Sequence, residues 1–142
     1  MKSKNLLLTV IFAFVFVLIK AQTTDNWQPV LLSTNGTSSF DGIDAYYNLT
    51  TCNNVEVVLV ELINHNNYAV KAGWKDWMVT TDDQQLPKNT VQDSITLRPN
   101  STVQGDCQNN ATQLVFRLSD FGTDAKNFKS FITSNFDFVI IH

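Results

Sequence analysis

The chain has 142 residues, with 10 lysines and arginines against 13 aspartates and glutamates and a formal net charge of −3. No basic cluster able to neutralise a run of phosphates is present, which argues against a nucleic-acid partner. The length allows one domain with a real core, not two.

Lys2 and Lys4 precede an apolar run from Leu6 to Ile19 that is broken only by Thr9, and Ala21 then supplies the small residue a signal peptidase requires. That run falls short of the roughly 20 residues that cross a bilayer as a helix. Residues 1–21 are therefore expected to be a cleaved secretory signal and residues 22–142 the domain, secreted or periplasmic and not inserted in a membrane. No cysteine lies near the cut to carry a lipid. Cleavage removes 3 of the 10 basic residues and leaves 7 against 13 acidic ones, a charge near −6.

Beyond the signal, β-like runs alternate with turn chemistry. Trp27 to Leu32 comes first, then the loop "NGTSSFDG", then Ala45 to Cys52. "VEVVLVELI", residues 55–63, is the most valine-rich and strand-like run. It stops at "NHNN", residues 64–67, where asparagines favour a turn, so Tyr68 to Thr80 is expected to return as the second strand of a hairpin. Further strands are expected at 91–97, 101–107, 112–119 and 136–142, with a turn at Pro99-Asn100. Seven or eight strands at about this spacing describe a single all-β antiparallel sandwich. One segment departs from the pattern. In "DAKNFKSFITSNF", residues 124–136, Phe128, Phe131 and Ile132 stand at helical spacing, which leaves a short helix near 124–133 or an irregular crossover, its aromatics covering one end of the sandwich.

Cys52 and Cys107 are the two cysteines of the chain. In an oxidising compartment an even pair without CxxC spacing or clustered histidines reads as a structural disulfide.

Two tryptophans stand three apart in "YAVKAGWKDWMVT", residues 68–80. Strand alternation puts Trp74 with Val70, Ala72, Asp76 and Met78, and Trp77 on the opposite face with Lys71, Gly73, Lys75 and Val79. Trp74 is expected in the core near the disulfide. Trp77, Lys71 and Lys75 form the candidate binding surface, subject to a bulge at Gly73. "VEVVLVEL", the Trp74 strand and "LVFRL" together resemble the immunoglobulin and fibronectin type III class of sandwich, and the resemblance implies an antiparallel two-sheet architecture. Cys52 and Cys107 fall at strand ends, unlike the familiar inter-sheet bridge of that class, so this bridge is read as tying loop to loop.

Two runs are apolar on both faces. For "VEVVLVELI" the ordinary reading is a central strand, and the functional one a contact patch. "FVIIH", residues 138–142, reads as a sheet edge open to a partner strand.

Catalytic signals are weak. His65 lies in a turn and His142 is the final residue given, neither near a recognisable nucleophile motif. Asp82-Asp83, with Asp76 upstream, is an oxygen-rich loop of the kind that holds calcium, yet adjacent aspartates more often form a solvated turn. No metal site, catalytic residue or cofactor is expected. Asn35-Gly36-Thr37, Asn48-Leu49-Thr50, Asn100-Ser101-Thr102 and Asn110-Ala111-Thr112 match the N-glycosylation pattern, and Asp93-Ser94-Ile95 resembles a three-residue O-glycosylation site. The expected function is a non-catalytic secreted binding or adhesion module for a protein or a glycan. The alternatives are a carbohydrate-binding module stacking a sugar on Trp77 with help from Tyr46 or Tyr47, and a structural or inhibitor-like protein acting through protein contact or as a homo-oligomer.

Overall fold

A computed structural model describes residues 26–32, 36–88, 93–108 and 112–142. The expected signal, residues 1–21, lies outside the described residues.

The chain is an all-β sandwich. In order, its strands are β1 (Gln28–Pro29), β2 (Leu31–Leu32), β3 (Ser39–Phe40), β4 (Ile43–Cys52), β5 (Val55–Asn64), β6 (Ala69–Thr80), β7 (Gln85–Pro87), β8 (Asp93–Leu97), β9 (Ser101–Gln104), β10 (Val115–Arg117) and β11 (Phe128–Ile141). Short 3₁₀ turns at Thr112–Leu114 and Leu118–Phe121 bracket β10. Sheet A runs β1-β4-β5-β10, with β3 beside β4 and β9 beside β5. Sheet B runs β2-β11-β6-β7, with β8 beside β6. The pairings are antiparallel except β2 with β11, which is parallel. Inward-facing apolar residues of both sheets fuse into one core: Val58, Val60 and Leu62 of β5, Trp74 and Met78 of β6, Phe116 of β10, and Phe131 and Phe136 of β11. Phe116 meets Phe131 across the sheets with ring centroids 5.1 Å apart.

The valine-rich strand is central, as its composition requires. β5 pairs with β4 on one side and with β9 and β10 on the other. Asn53 and Asn54, at φ 50° and 63°, supply the two-residue turn that joins β4 to β5. Left-handed backbone at both positions matches the twist of the paired strands, and asparagine tolerates it.

With both edges of β5 occupied, the expected hairpin from β5 to β6 cannot form. "NHNN" instead carries the chain from sheet A to sheet B. The Asn64 side chain organises that corner. It donates through Nδ2 to the carbonyls of Tyr68 and Arg98, both at 2.9 Å, and accepts at Oδ1 from the Asn66 amide at 3.0 Å. Its amide stands in for backbone partners where the ladder ends. We expect Asn64→Ala to cost about 2 kcal/mol, because two carbonyls and one amide lose their partner inside the fold. A urea midpoint unchanged from the parent would exclude this role.

Residues 124–133 are neither a helix nor an irregular crossover. A turn leads directly into β11, which pairs with β6 almost throughout its length. The helical spacing of the phenylalanines comes from a β-bulge, where the register shifts between Phe128 and Ser130. One extra residue puts Phe128 and Phe131 on the same side three positions apart, which on sequence is indistinguishable from a helix face. A second shift between Ser134 and Asp137, with Asn135 at φ 52°, changes parity again, so the inward positions pass from Phe131 and Thr133 to Phe136 and Phe138.

The Cys52–Cys107 bridge is present, with the two Cα atoms 5.1 Å apart. It ties the end of β4 to the loop after β9, both belonging to sheet A. Gly105 lets that loop run close, because a Cβ there would meet the Leu114 carbonyl oxygen at 2.2 Å. Trp74 is not beside the bridge. It is 1% exposed in the main core and stacks on Phe136, with centroids 6.2 Å apart. The indole near the disulfide is Trp27, which packs with Cys52, Val57, Leu59 and Val115 over the outer face of sheet A. That small cluster accounts for the second apolar face of β5.

Candidate functional site

Alternation along β6 divides its side chains as read from the sequence. Val70, Ala72, Trp74, Asp76 and Met78 are buried, while Lys71 and Lys75 are exposed on the outer face. Trp77 shares that outer face but is half-buried. Its cross-strand neighbours are Ile132 of β11 and Pro87 of β7, and its Nε1 donates to Ser134 Oγ at 2.7 Å. The ring is therefore held on the sheet by Pro87, near it in sequence, and by Ile132 and Ser134, more than 50 residues further along the chain. Tyr46 and Tyr47 sit on β4 in the other sheet, and Tyr47 is buried against Phe128 and Phe131. Burial raises the Tyr47 phenol above its ordinary value, with a hydrogen bond to the Phe131 backbone pulling the other way. Neither tyrosine joins Trp77 in a platform.

Of the three candidate residues, Lys71 borders a concavity. A depression of about 370 Å³ on the outer face is lined by Lys71, Gly73, Ser94, Asp137 and Val139, among others. Val139 stands opposite Lys71 and Asp137 opposite Gly73, while Ser94 faces Gly73 from β8. Three strands thus bring an ammonium, a carboxylate, a hydroxyl and an apolar side chain around one open position of the sheet. Trp77 lies six residues from Lys71 along a strand, about 20 Å away, and is a separate feature.

A buried carboxyl on the inner face of β6 went unrecognised in the sequence. Asp76 is 3% exposed. Its Oδ1 accepts from Trp74 Nε1 at 2.7 Å, which satisfies the buried indole. Its Oδ2 has no hydrogen-bond partner as an ionised oxygen. Protonated, it becomes a donor toward the neighbouring Asp93. Burial pushes the Asp76 carboxyl up to about 9, reinforced by the hydrogen bond and negative charge of Asp93, against smaller opposing effects of Lys88 and Trp74. Asp93 in turn meets Lys88, whose Nζ lies 3.0 Å from its Oδ2. The same ammonium lies 4.7 Å from the Phe116 ring centroid, so Lys88 reaches across to sheet A. Alternation already placed Asp76 between Trp74 and Met78; the signal was a core position occupied by an acid.

The other readings fall into place around these. Asp82 and Asp83 form a turn after β6. The Thr80 hydroxyl holds the Asp82 carboxyl below the usual range, and Asp83 pairs with Lys129. Asp76 faces the core and is not part of that loop. Among the described residues no group of three or more histidines, cysteines and carboxylates is placed to hold a metal ion. His65 Nε2 lies 2.8 Å from Asp44 Oδ2, fastening the inter-sheet turn to β4. A second depression of about 330 Å³ adjoins the disulfide, lined in part by Val57, Val115, Arg117 and Asp120. Of the glycosylation patterns, Asn100 is exposed at a turn and Asn48 is half-buried in β4, while Asn35 and Asn110 lie outside the described residues.

Fold and surface together define a disulfide-bridged all-β sandwich with an open, mixed-polarity depression on one sheet. Comparison with protein-family models, with curated proteins and with solved structures finds no match. Among the described residues no helix is long and apolar enough to cross a membrane.

Proposed function

We propose that the chain is a secreted, non-catalytic binding module that contacts another polypeptide through the outer face of sheet B. The observation that carries this reading is the convergence of Lys71, Ser94, Asp137 and Val139 around Gly73. A donor, an acceptor and an apolar wall on an open sheet face suit an extended peptide better than an enclosed small molecule. The disulfide and the apolar run behind Lys2 and Lys4 support an extracellular setting. An intact mass beginning at Gln22 tests that part.

The carbohydrate reading is the weaker of the two, because Trp77 is half-buried, its indole N–H is engaged, and both tyrosines named as helpers lie in the other sheet. A paired screen separates them: a displayed library of extended peptides and a panel of soluble polysaccharides, each probed with the parent, Lys71→Glu and Trp77→Ala. We expect peptide binding that weakens at least tenfold in Lys71→Glu, about 1.4 kcal/mol, in a variant with parental circular dichroism. Polysaccharide binding abolished in a folded Trp77→Ala would instead establish the carbohydrate reading.

A further inference from the structure

β11 is paired on one edge by β6 along nearly its whole length, but on the other edge β2 covers only Ile132 and Thr133. The chain then turns away: the Leu32 amide bonds to the Thr37 carbonyl and the Gly36 amide to the Leu32 carbonyl. Among the described residues, no strand pairs with the outer edge of β11 from Ser134 to Ile141. The large exposed apolar residues concentrate there, with Val139 65%, Ile140 46% and Ile141 42% exposed. Natural sheets blunt such an edge with lysine, proline or a charge pointing inward. This stretch has one charge, Asp137, which points outward, and no proline.

We infer that this edge pairs with the same edge of a second copy of the chain, joining two B sheets about a two-fold axis. The occupant must be a strand apolar on both faces over the same length, and β11 is itself such a strand: Phe136, Phe138 and Ile140 on the inner side, Val139 and Ile141 on the outer. A two-fold axis normal to the sheet keeps inner residues opposite inner ones, which restricts the register to those centred on a residue. Centred on Val139, it sets Phe138 against the partner's Ile140 and Asp137 against the partner's Ile141. No charge meets its like. Lys71, opposite Val139 on β6, then stands two strands across and one side-chain step along from the partner's Asp137, on the same outer face. Apolar contact and charge agree in that register. One strand pair buries less than the roughly 1,600 Å² of a standard interface, which puts the dimer among weak, reversible associations.

The inference does not rest on the peptide reading, but the two share Lys71, Asp137 and Val139, so association is read with substitutions outside the depression. The test uses the chain as expressed and purified, its N-terminus read by intact mass. Sedimentation velocity from about 1 to 500 μM should show a monomer–dimer equilibrium. Ile140→Lys and Ile141→Lys, neither of which lines the depression, should each weaken it at least tenfold with melting unchanged. Directly opposite residues have Cα atoms about 4.5 to 5.5 Å apart, within disulfide reach. Val139→Cys should accordingly yield a covalent dimer under mild oxidation, with Cys52–Cys107 intact by mass, and Gln85→Cys, exposed on β7 at the other edge of sheet B, should not. Three results overturn the inference: a monomer at every concentration, a dimer indifferent to both lysines, or equal cross-linking at Gln85. Peptide binding lost in Ile140→Lys from a protein that stays monomeric would give the edge to another polypeptide.

Discussion

The free energy of unfolding will fall as pH rises from 5 to 9, and Asp76→Asn will remove most of that slope. In the unfolded chain the Asp76 carboxyl titrates near 3.8; in the fold it is pushed to about 9. Between these values the native state holds a proton that the unfolded state has lost. Stability therefore decreases with pH, by up to about 1.4 kcal/mol per unit from this group. Its contribution is full below the unfolded value and is lost as pH climbs toward the folded one. Across pH 5 to 7.5 the loss is about 3 kcal/mol. Asparagine is close to the protonated acid in shape. Its oxygen accepts from Trp74 Nε1, and its amide donates toward Asp93 without a charge to bury. We expect Asp76→Asn to match the parent near pH 5 and to exceed it by about 3 kcal/mol at pH 7.5. Urea titrations at four pH values measure both slopes. A variant that keeps the parental slope would move the proton to another group.

The second large effect belongs to the disulfide. Replacing Cys52 and Cys107 together by alanine should lower stability by about 4 kcal/mol, the chain-entropy value for a loop with a sequence separation of 55. With a urea m-value in the usual range, that moves the midpoint by about 2 M. The manner of unfolding is as informative as its size. Because the bridge lies within sheet A and Phe116 and Phe131 join the sheets independently of it, the variant should still unfold in one cooperative step. Near- and far-ultraviolet circular dichroism should give coincident transitions. Two separated transitions would mean that the bridge holds the sheets together.

Local rules were enough to read some of this from the sequence. The facing of Trp74, Lys71 and Lys75 follows from alternation within one strand, and the all-β class follows from the spacing of the runs. The errors came where distant segments decide. Phe128 and Phe131 imitate a helix because a bulge in β11, fixed by its pairing with β6, inserts a residue between them. "NHNN" looks like a hairpin turn until β9 and β10 occupy the free edge of β5. Trp77 is half-buried because of Pro87, Ile132 and Ser134. The depression beside Lys71 likewise needs Ser94 and Asp137, more than 20 and more than 60 residues downstream. Asp76 is different: alternation alone gives its core position, but what keeps its carboxyl there depends on Trp74, Asp93 and Lys88.

The place of β11 also sets the order of assembly. It lies between β2 and β6, so sheet B joins residues 31–32 to residues 132–133 and cannot close until residues 128–141 have been synthesised. The β4–β5 hairpin can form early, from residues close in sequence. β6 must wait with its buried face uncovered, since the contacts that cover it close the longest loops and come last. The strand that completes sheet B is also the one whose open edge the proposed dimer uses, so that association would follow folding.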